Sequence, residues 1–231
     1  GVVGTFAGGW LLERADDFTR LHPHIDLRIL TNNNRVDLAG EGLECAIRFG
    51  DGAWHGTHAD RIMDAPLAIL CAPAIAKRIA PSPSALARET LLRSYRSDQW
   101  PRWFAAAGIA CPPLRGPVFD SSTLMVAAAI AGHGVALAPA AMFDRELRME
   151  QVVAPFALTL SAGAYWLTRL LSREEGPALQ AFRTWLLDTA ATGGAAPVSA
   201  RKHNIGTPLA SASPHTRLSL GRNDGADRYD E

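Results

Sequence analysis

Strand-like apolar runs and helix-period segments take turns along this chain, and that alternation constrains its fold more than any other feature. "VVGTFA" reads as a strand, and "GGWLLERADDFTRL" follows with Leu11, Ala15 and Phe18 at the i, i+4, i+7 spacing of a helix buried on one face. The order continues with strand "IDLRIL", a polar stretch "TNNNRVD", a short helix around "LAGEG" and strand "CAIRFG". Further along come strand "LAILCA", helices "AIAKRI" and "SALARE", strand "LLRSY" and helix "QWPRWFAAAG". Then "PVFDS" leads into helix "STLMVAAAIAG", strand "VALAP", helix "AAMFDREL", strands "VVAPF" and "AYWLTRL", and a last helix "EEGPALQAFRTWLLDTA". Repeated strand and helix alternation predicts an α/β protein with largely parallel sheets.

The chain has 231 residues, 48% of them hydrophobic, which allows one large domain or two small lobes around a real core. Its 23 basic and 23 acidic side chains cancel (23 − 23 = 0), so no overall positive field exists to hold nucleic acid nonspecifically. Cys45, Cys71 and Cys111 are odd in number, widely spaced and set among apolar residues, the pattern of buried reduced thiols in a cytoplasmic protein rather than of a disulfide framework. The opening "GVVGTFAGGW" carries no initiator Met and no basic leader with an apolar run, and no membrane-length apolar segment follows. It reads as an excised piece that does not engage a membrane. From about residue 191 to 231 the chain loses apolar periodicity and fills with Ala, Gly, Ser, Pro and scattered charges, which predicts a disordered tail.

Two strand-to-helix turns carry the most chemistry. In "GTFAGGW", Gly4 and Thr5 stand where a strand gives way to a helix, so unsatisfied backbone N–H groups and a hydroxyl can face one point. In "FDSSTLM", Asp120, Ser121 and Ser122 occupy the same position before a second helix, at the C-terminal edge of a sheet. Plain helix capping explains either turn alone. Two such turns in separate halves of the chain favour a shared cleft. "TNNNRVD" belongs to the same class of position, because asparagine amides compete for nearby backbone groups and favour a loop at a strand end. By itself it is equally a solvated turn.

Enzyme signatures are missing: there is no G-x-S-x-G elbow, P-loop, H-E-x-x-H or C-x-x-C. His55, His58 and Asp60 in "WHGTHAD" are the nearest approach to a metal set, but Gly52 and Gly56 make this a flexible loop, and we assign no metal and no cofactor. His133 lies between Gly132 and Gly134 where helix must turn to strand, which makes it a turn residue rather than a base. Trp100, Trp103 and Trp185 fall on helical patterns and read as core anchors.

The segments "LHPHIDLRI", "GLECAIRFGDG", "FDSSTLMVAAAIAGHGVALAP" and the closing "YWLTR" with its helix resemble the effector-binding domain of LysR-type transcriptional regulators. Within that family, "GTFAGGWLL", "TNNNRVDLAGEGLE", "GAWHGTHAD" and "LLRSYRSDQWPRWFAAAG" are most similar to the branch that controls chromosomal β-lactamase genes in response to cell-wall fragments. The resemblance covers roughly residues 1 to 190. It implies two α/β lobes of the periplasmic-binding-protein type (type II), joined by two crossing strands near residues 70 to 74 and 162 to 166. That divides the chain into lobe I (1–71 plus 166–190) and lobe II (72–165). It also implies a muropeptide effector between the lobes, contacted by Thr5, Asp37, Ser122 and Tyr165 with the adjoining Gly4 and Ser121. Further implications are a homodimer or homotetramer in the cytoplasm and DNA contact only through an N-terminal helix-turn-helix absent here. A solute-binding protein of the same fold, or an enzyme built on it, is the alternative expectation.

Overall fold

The first apolar run is shorter as a strand than its sequence suggests. In the computed structural model, which describes residues 1–32, 36–80 and 82–193, strand β1 (Val2–Val3) stops where Gly4 opens a helical segment, α1 (Gly4–Phe6). This widens directly into a π-helical turn over Ala7–Leu11. Phe6, Trp10 and Leu11 are all buried together, a spacing that helical geometry satisfies and a strand does not. A Cβ on Gly9 would lie 2.2 Å from the Met142 carbonyl oxygen, so this turn lies directly against backbone. Helix α2 (Ala15–Leu21) then buries Phe18, and strand β2 (Thr31–Asn32) runs parallel to β1. The expected strand over 25–30 reaches the sheet through Leu30, whose carbonyl accepts from the Val2 N–H at 2.9 Å.

Strand β3 (Ala46–Gly50) falls where expected. Strand β4 (Thr57–Asp64) does not, since the sequence reads there as a glycine-flanked loop. Gly52 and Gly56 do take left-handed conformations (φ 95° and 70°), but the chain straightens immediately after them. Charges at His58, Asp60 and Arg61 hide the strand's alternation, and such charges are tolerated because β4 is a sheet edge. The buried run β5 (Leu67–Cys71) leads to α3 (Pro73–Ile79), β6 (Arg93–Ser94), α4 (Gln99–Ala106), β7 (Val118–Phe119) and α5 (Ser122–Ile130). Strand β8 (Val135–Pro139), α6 (Asp144–Arg148), β9 (Ala164–Leu170) and α7 (Pro177–Thr192) complete the described chain.

These strands form a five-stranded sheet, β2-β1-β3-β9-β4, and two-stranded sheets β5-β8 and β6-β7. Pairing is mixed rather than largely parallel. β1 is parallel to β2 and β3, whereas β9 returns from the second half of the chain and inserts antiparallel between β3 and β4. The chain leaves the large sheet after Asp64 and re-enters at Ala164. The two crossing stretches bond to each other, Leu67 and Leu160 exchanging both backbone bonds at 2.9 and 2.8 Å. Between β4 and β5 the chain passes from the large sheet to the smaller one within Asp64 to Leu67. "LAILC" is buried at every position because it pairs with β8, not with the first sheet. Gly163 sits on the return crossing at φ 146°, and a Cβ there would meet the Gly50 carbonyl oxygen at 2.9 Å.

One apolar cluster joins Phe6, Phe18, Tyr165 and Trp185 around the large sheet to Met125 and Val126 of α5. A second gathers Ile79, Leu86, Trp100, Trp103 and Phe104 under β5 and β8. Trp100, Trp103 and Trp185 are thus core residues, and Gly132 and Gly134 take positive φ (80° and 155°) around the His133 turn. Cys71 is buried and Cys45 half-buried, but Cys111 is exposed, which departs from the expectation of three buried thiols. Of the predicted tail, residues 191–231, Ala191 and Thr192 still belong to α7, and everything from residue 194 onward lies outside the described residues.

Helix α7 packs back on the first sheet, Phe182 meeting Phe18 edge-on at 5.3 Å. Its Arg183 donates twice to the Asp60 carboxylate, at 2.8 and 3.0 Å, tying α7 to the edge strand. This bond holds the Asp60 carboxyl below the usual carboxylate range, with further help from the Arg183 and Arg169 charges. A carboxyl lowered by folding contributes stability above its unfolded pKa and loses that contribution as pH falls through the folded value. We expect Asp60→Asn to cost about 1.5–3 kcal/mol at neutral pH. We also expect it to flatten the acid limb of a stability-against-pH curve below the ordinary carboxylate range. Urea melts across that range check both.

Candidate functional site

A small cavity opens between the large sheet and the β6-β7 and β5-β8 sheets, and side chains from both sides line it. β1 and α1 contribute Val3, Gly4 and Thr5, β9 contributes Tyr165, and the turn from β7 into α5 contributes Asp120, Ser121 and Ser122. Five expected site residues, Gly4, Thr5, Ser121, Ser122 and Tyr165, are brought to this one space from positions as far apart as 161 residues (165 − 4). Neither turn uses a side-chain cap: Val3 precedes α1 and Ser121 precedes α5 without a capping bond. Capping therefore does not consume these hydroxyls, which can serve a ligand instead. The first N–H groups of α5, which no preceding turn can satisfy, add donors at the same edge.

Tyr165 is positioned by aromatic packing. Its ring lies 4.9 Å from Phe6 and 5.5 Å from Phe49, its partner across the β3-β9 ladder. Burial pushes its phenol above the ordinary range, so at neutral pH it keeps its proton and can both donate and accept. Gly4 leaves room in the cavity, since a Cβ there would meet nothing within 4 Å. Thr123 Oγ1 approaches Thr5 Oγ1 to 3.5 Å, so α1 and α5 nearly touch across the opening.

Asp37 is engaged locally. It is not among the lining residues; its carboxylate accepts from the Gly40 N–H at 3.0 Å while its own N–H donates to Glu41 Oε1 at 3.3 Å. This reciprocal pattern caps the turn after the asparagines, and the Asp37 side chain is exposed. The neighbouring Asn33–Arg35 lie outside the described residues. In "WHGTHAD", Asp60 is engaged by Arg183.

Arg96 and Gln99 are among the lining residues not singled out from the sequence. Arg96 follows β6 and its Nη2 donates to the Phe49 carbonyl at 3.2 Å, spanning the two sheets, and Gln99 is buried at the start of α4. "RSYRSDQ" is a third strand-to-helix turn, and the rule that singled out the other two applies to it equally. The cavity holds about 70 Å³, far below the roughly 300–1,000 Å³ of small-molecule sites.

A family model described as the LysR substrate binding domain matches residues 1–191. The chain belongs to the LysR substrate binding domain family. This LysR domain is 58% identical over 193 residues to the HTH-type transcriptional activator AmpR of Pseudomonas aeruginosa, a match that covers 83% of the chain. It spans 65% of that activator's length. Among solved structures it matches the effector domain of the transcriptional regulator AmpR of P. aeruginosa with a TM-score of 0.80 and 57% identity, covering 84% of this chain and 94% of that one. It also matches a Citrobacter freundii effector binding domain carrying three substitutions, a threonine to valine, a serine to alanine and a tyrosine to phenylalanine. There the TM-score is 0.80 and the identity 46%, over 82% of this chain and 96% of that one. The expected two-lobed, periplasmic-binding-protein-like α/β fold is therefore the fold of this LysR domain.

Proposed function

We propose that this LysR domain is the sensing part of a transcriptional regulator of β-lactamase expression, and that a muropeptide from peptidoglycan recycling binds between its lobes. On this reading lobe I is built on the five-stranded sheet with α7, lobe II comprises the chain between the two crossings, and the cavity is the floor of the cleft. The observation that carries the proposal is the convergence of the Thr5, Ser121, Ser122 and Tyr165 hydroxyls on one space from both sides, unused by capping. The residue types exchanged in the C. freundii variant, threonine, serine and tyrosine, are the types of three of these lining residues. The domain senses and does not turn its ligand over. It acts in the cytoplasm within a homodimer or homotetramer, and a separate segment binds DNA, in keeping with its zero net charge. A ligand switches it by binding one lobe arrangement better than another, about 1.4 kcal/mol of difference being a tenfold population shift.

A muropeptide at about a hundred times its Kd should stabilise the folded domain by about 2.7 kcal/mol, which for a domain of this size is roughly 5–10 °C in Tm. A thermal melt that does not move at millimolar muropeptide contradicts the proposal.

A further inference from the structure

We infer that Arg96 is the specificity-determining residue for a ligand carboxylate, and that it does so by exchanging its bond across the cleft for one to the ligand. The inference rests on the effector-site reading above and adds the charge pattern of the ligand. Among the lining residues Arg96 and Asp120 alone carry charge, so the site is built for a ligand with mixed polarity rather than for a bare anion or an apolar molecule. The Arg96 guanidinium is half-buried, stacked 5.0 Å from the Phe49 ring and 5.3 Å from the Tyr95 ring. Stacking fixes the plane of the guanidinium while leaving its edge available for hydrogen bonds. Its Nη2 donates to the Phe49 carbonyl of β3 at 3.2 Å, a neutral acceptor on the opposite sheet. A guanidinium has five N–H donors in a fork that fits a carboxylate with two parallel bonds, and a charged acceptor binds it more strongly than a carbonyl does. A carboxylate arriving in the cleft therefore displaces Phe49 as the acceptor. Loss of that bond frees β3 from the β6 turn, which couples recognition of the charge to parting of the sheets.

The test uses a muramyl pentapeptide with a free C-terminal carboxylate and the same molecule as its C-terminal carboxamide, titrated calorimetrically into the full chain. The wild type should bind the acid at least about tenfold more tightly than the amide. Arg96→Gln should bind both with the amide's affinity, while Arg96→Lys, which keeps the charge without the fork, should retain part of the preference. Thermal melts of each variant establish that it is folded. An Arg96→Gln protein that still prefers the acid, or a wild type that binds both forms equally, overturns the inference and leaves the effector site standing. A wild type that binds neither form removes the effector site, and the inference with it.

Discussion

Trp103→Ala should lower the stability of the domain by about 3–5 kcal/mol, the range for removing a large aromatic from a packed interior, and reduce Tm by about 6–20 °C. Trp103 is 0% exposed and its ring meets Trp100, Phe104 and Phe156 at 6.4, 5.6 and 5.9 Å. Its indole N–H donates to the Leu158 carbonyl at 3.4 Å, so truncation also leaves that carbonyl short of a partner. α4 shares one apolar cluster with β5 and β8, whose close packing leaves the surrounding aromatics little freedom to collapse into the space. Differential scanning calorimetry checks the magnitude. A loss below about 1 kcal/mol would mean that α4 is not a core helix of lobe II.

How far the sequence alone reaches depends on which physical signal a residue carries. "QWPRWFAAAG", "STLMVAAAIAG" and the last helix repeat apolar residues at helical spacing over two or more turns, and all three are helices close to the expected bounds. "VALAP" and "LAILC" are short and wholly apolar, so they read as strands, but nothing in them says which sheet they join. β4 escaped because an edge strand covered on one side by α7 tolerates His58, Asp60 and Arg61, and its alternation is too weak to register. Gly4, Thr5, Ser121 and Ser122 were legible through a local rule, small and hydroxyl residues at the C-terminal end of a strand. Tyr165 came from family resemblance alone, since a tyrosine inside "AYWLTRL" looks like any other strand aromatic. Asp37 is a different case: its carboxylate accepts from the Gly40 N–H and its own N–H donates to Glu41, local bonds that the acidic residue four positions on makes legible in the sequence.

Thr5→Val combined with Ser122→Ala should reduce muropeptide affinity by roughly thirtyfold or more while leaving the fold nearly unchanged. Each substitution removes one hydroxyl from the cleft, and a ligand polar group buried without its partner costs about 1–3 kcal/mol. Both changes keep or reduce volume, so neither blocks the cavity, and Thr→Val preserves the branched shape at α1. Neither residue supplies a helix cap, so the stability loss of about 0.5–2 kcal/mol that accompanies removal of an N-cap should not occur. The two effects need not add fully, because both hydroxyls face one ligand.

The measurement that bears most directly on the cleft is therefore a calorimetric titration of this double variant and the wild type with one muropeptide, each paired with a thermal melt in the absence of ligand. The account predicts binding by the wild type, affinity weakened by at least about thirtyfold in the variant, and melting temperatures within about 2 °C of each other. Equal affinities, with the variant merely melting earlier, would contradict it: Thr5 and Ser122 would then serve the fold and not a ligand.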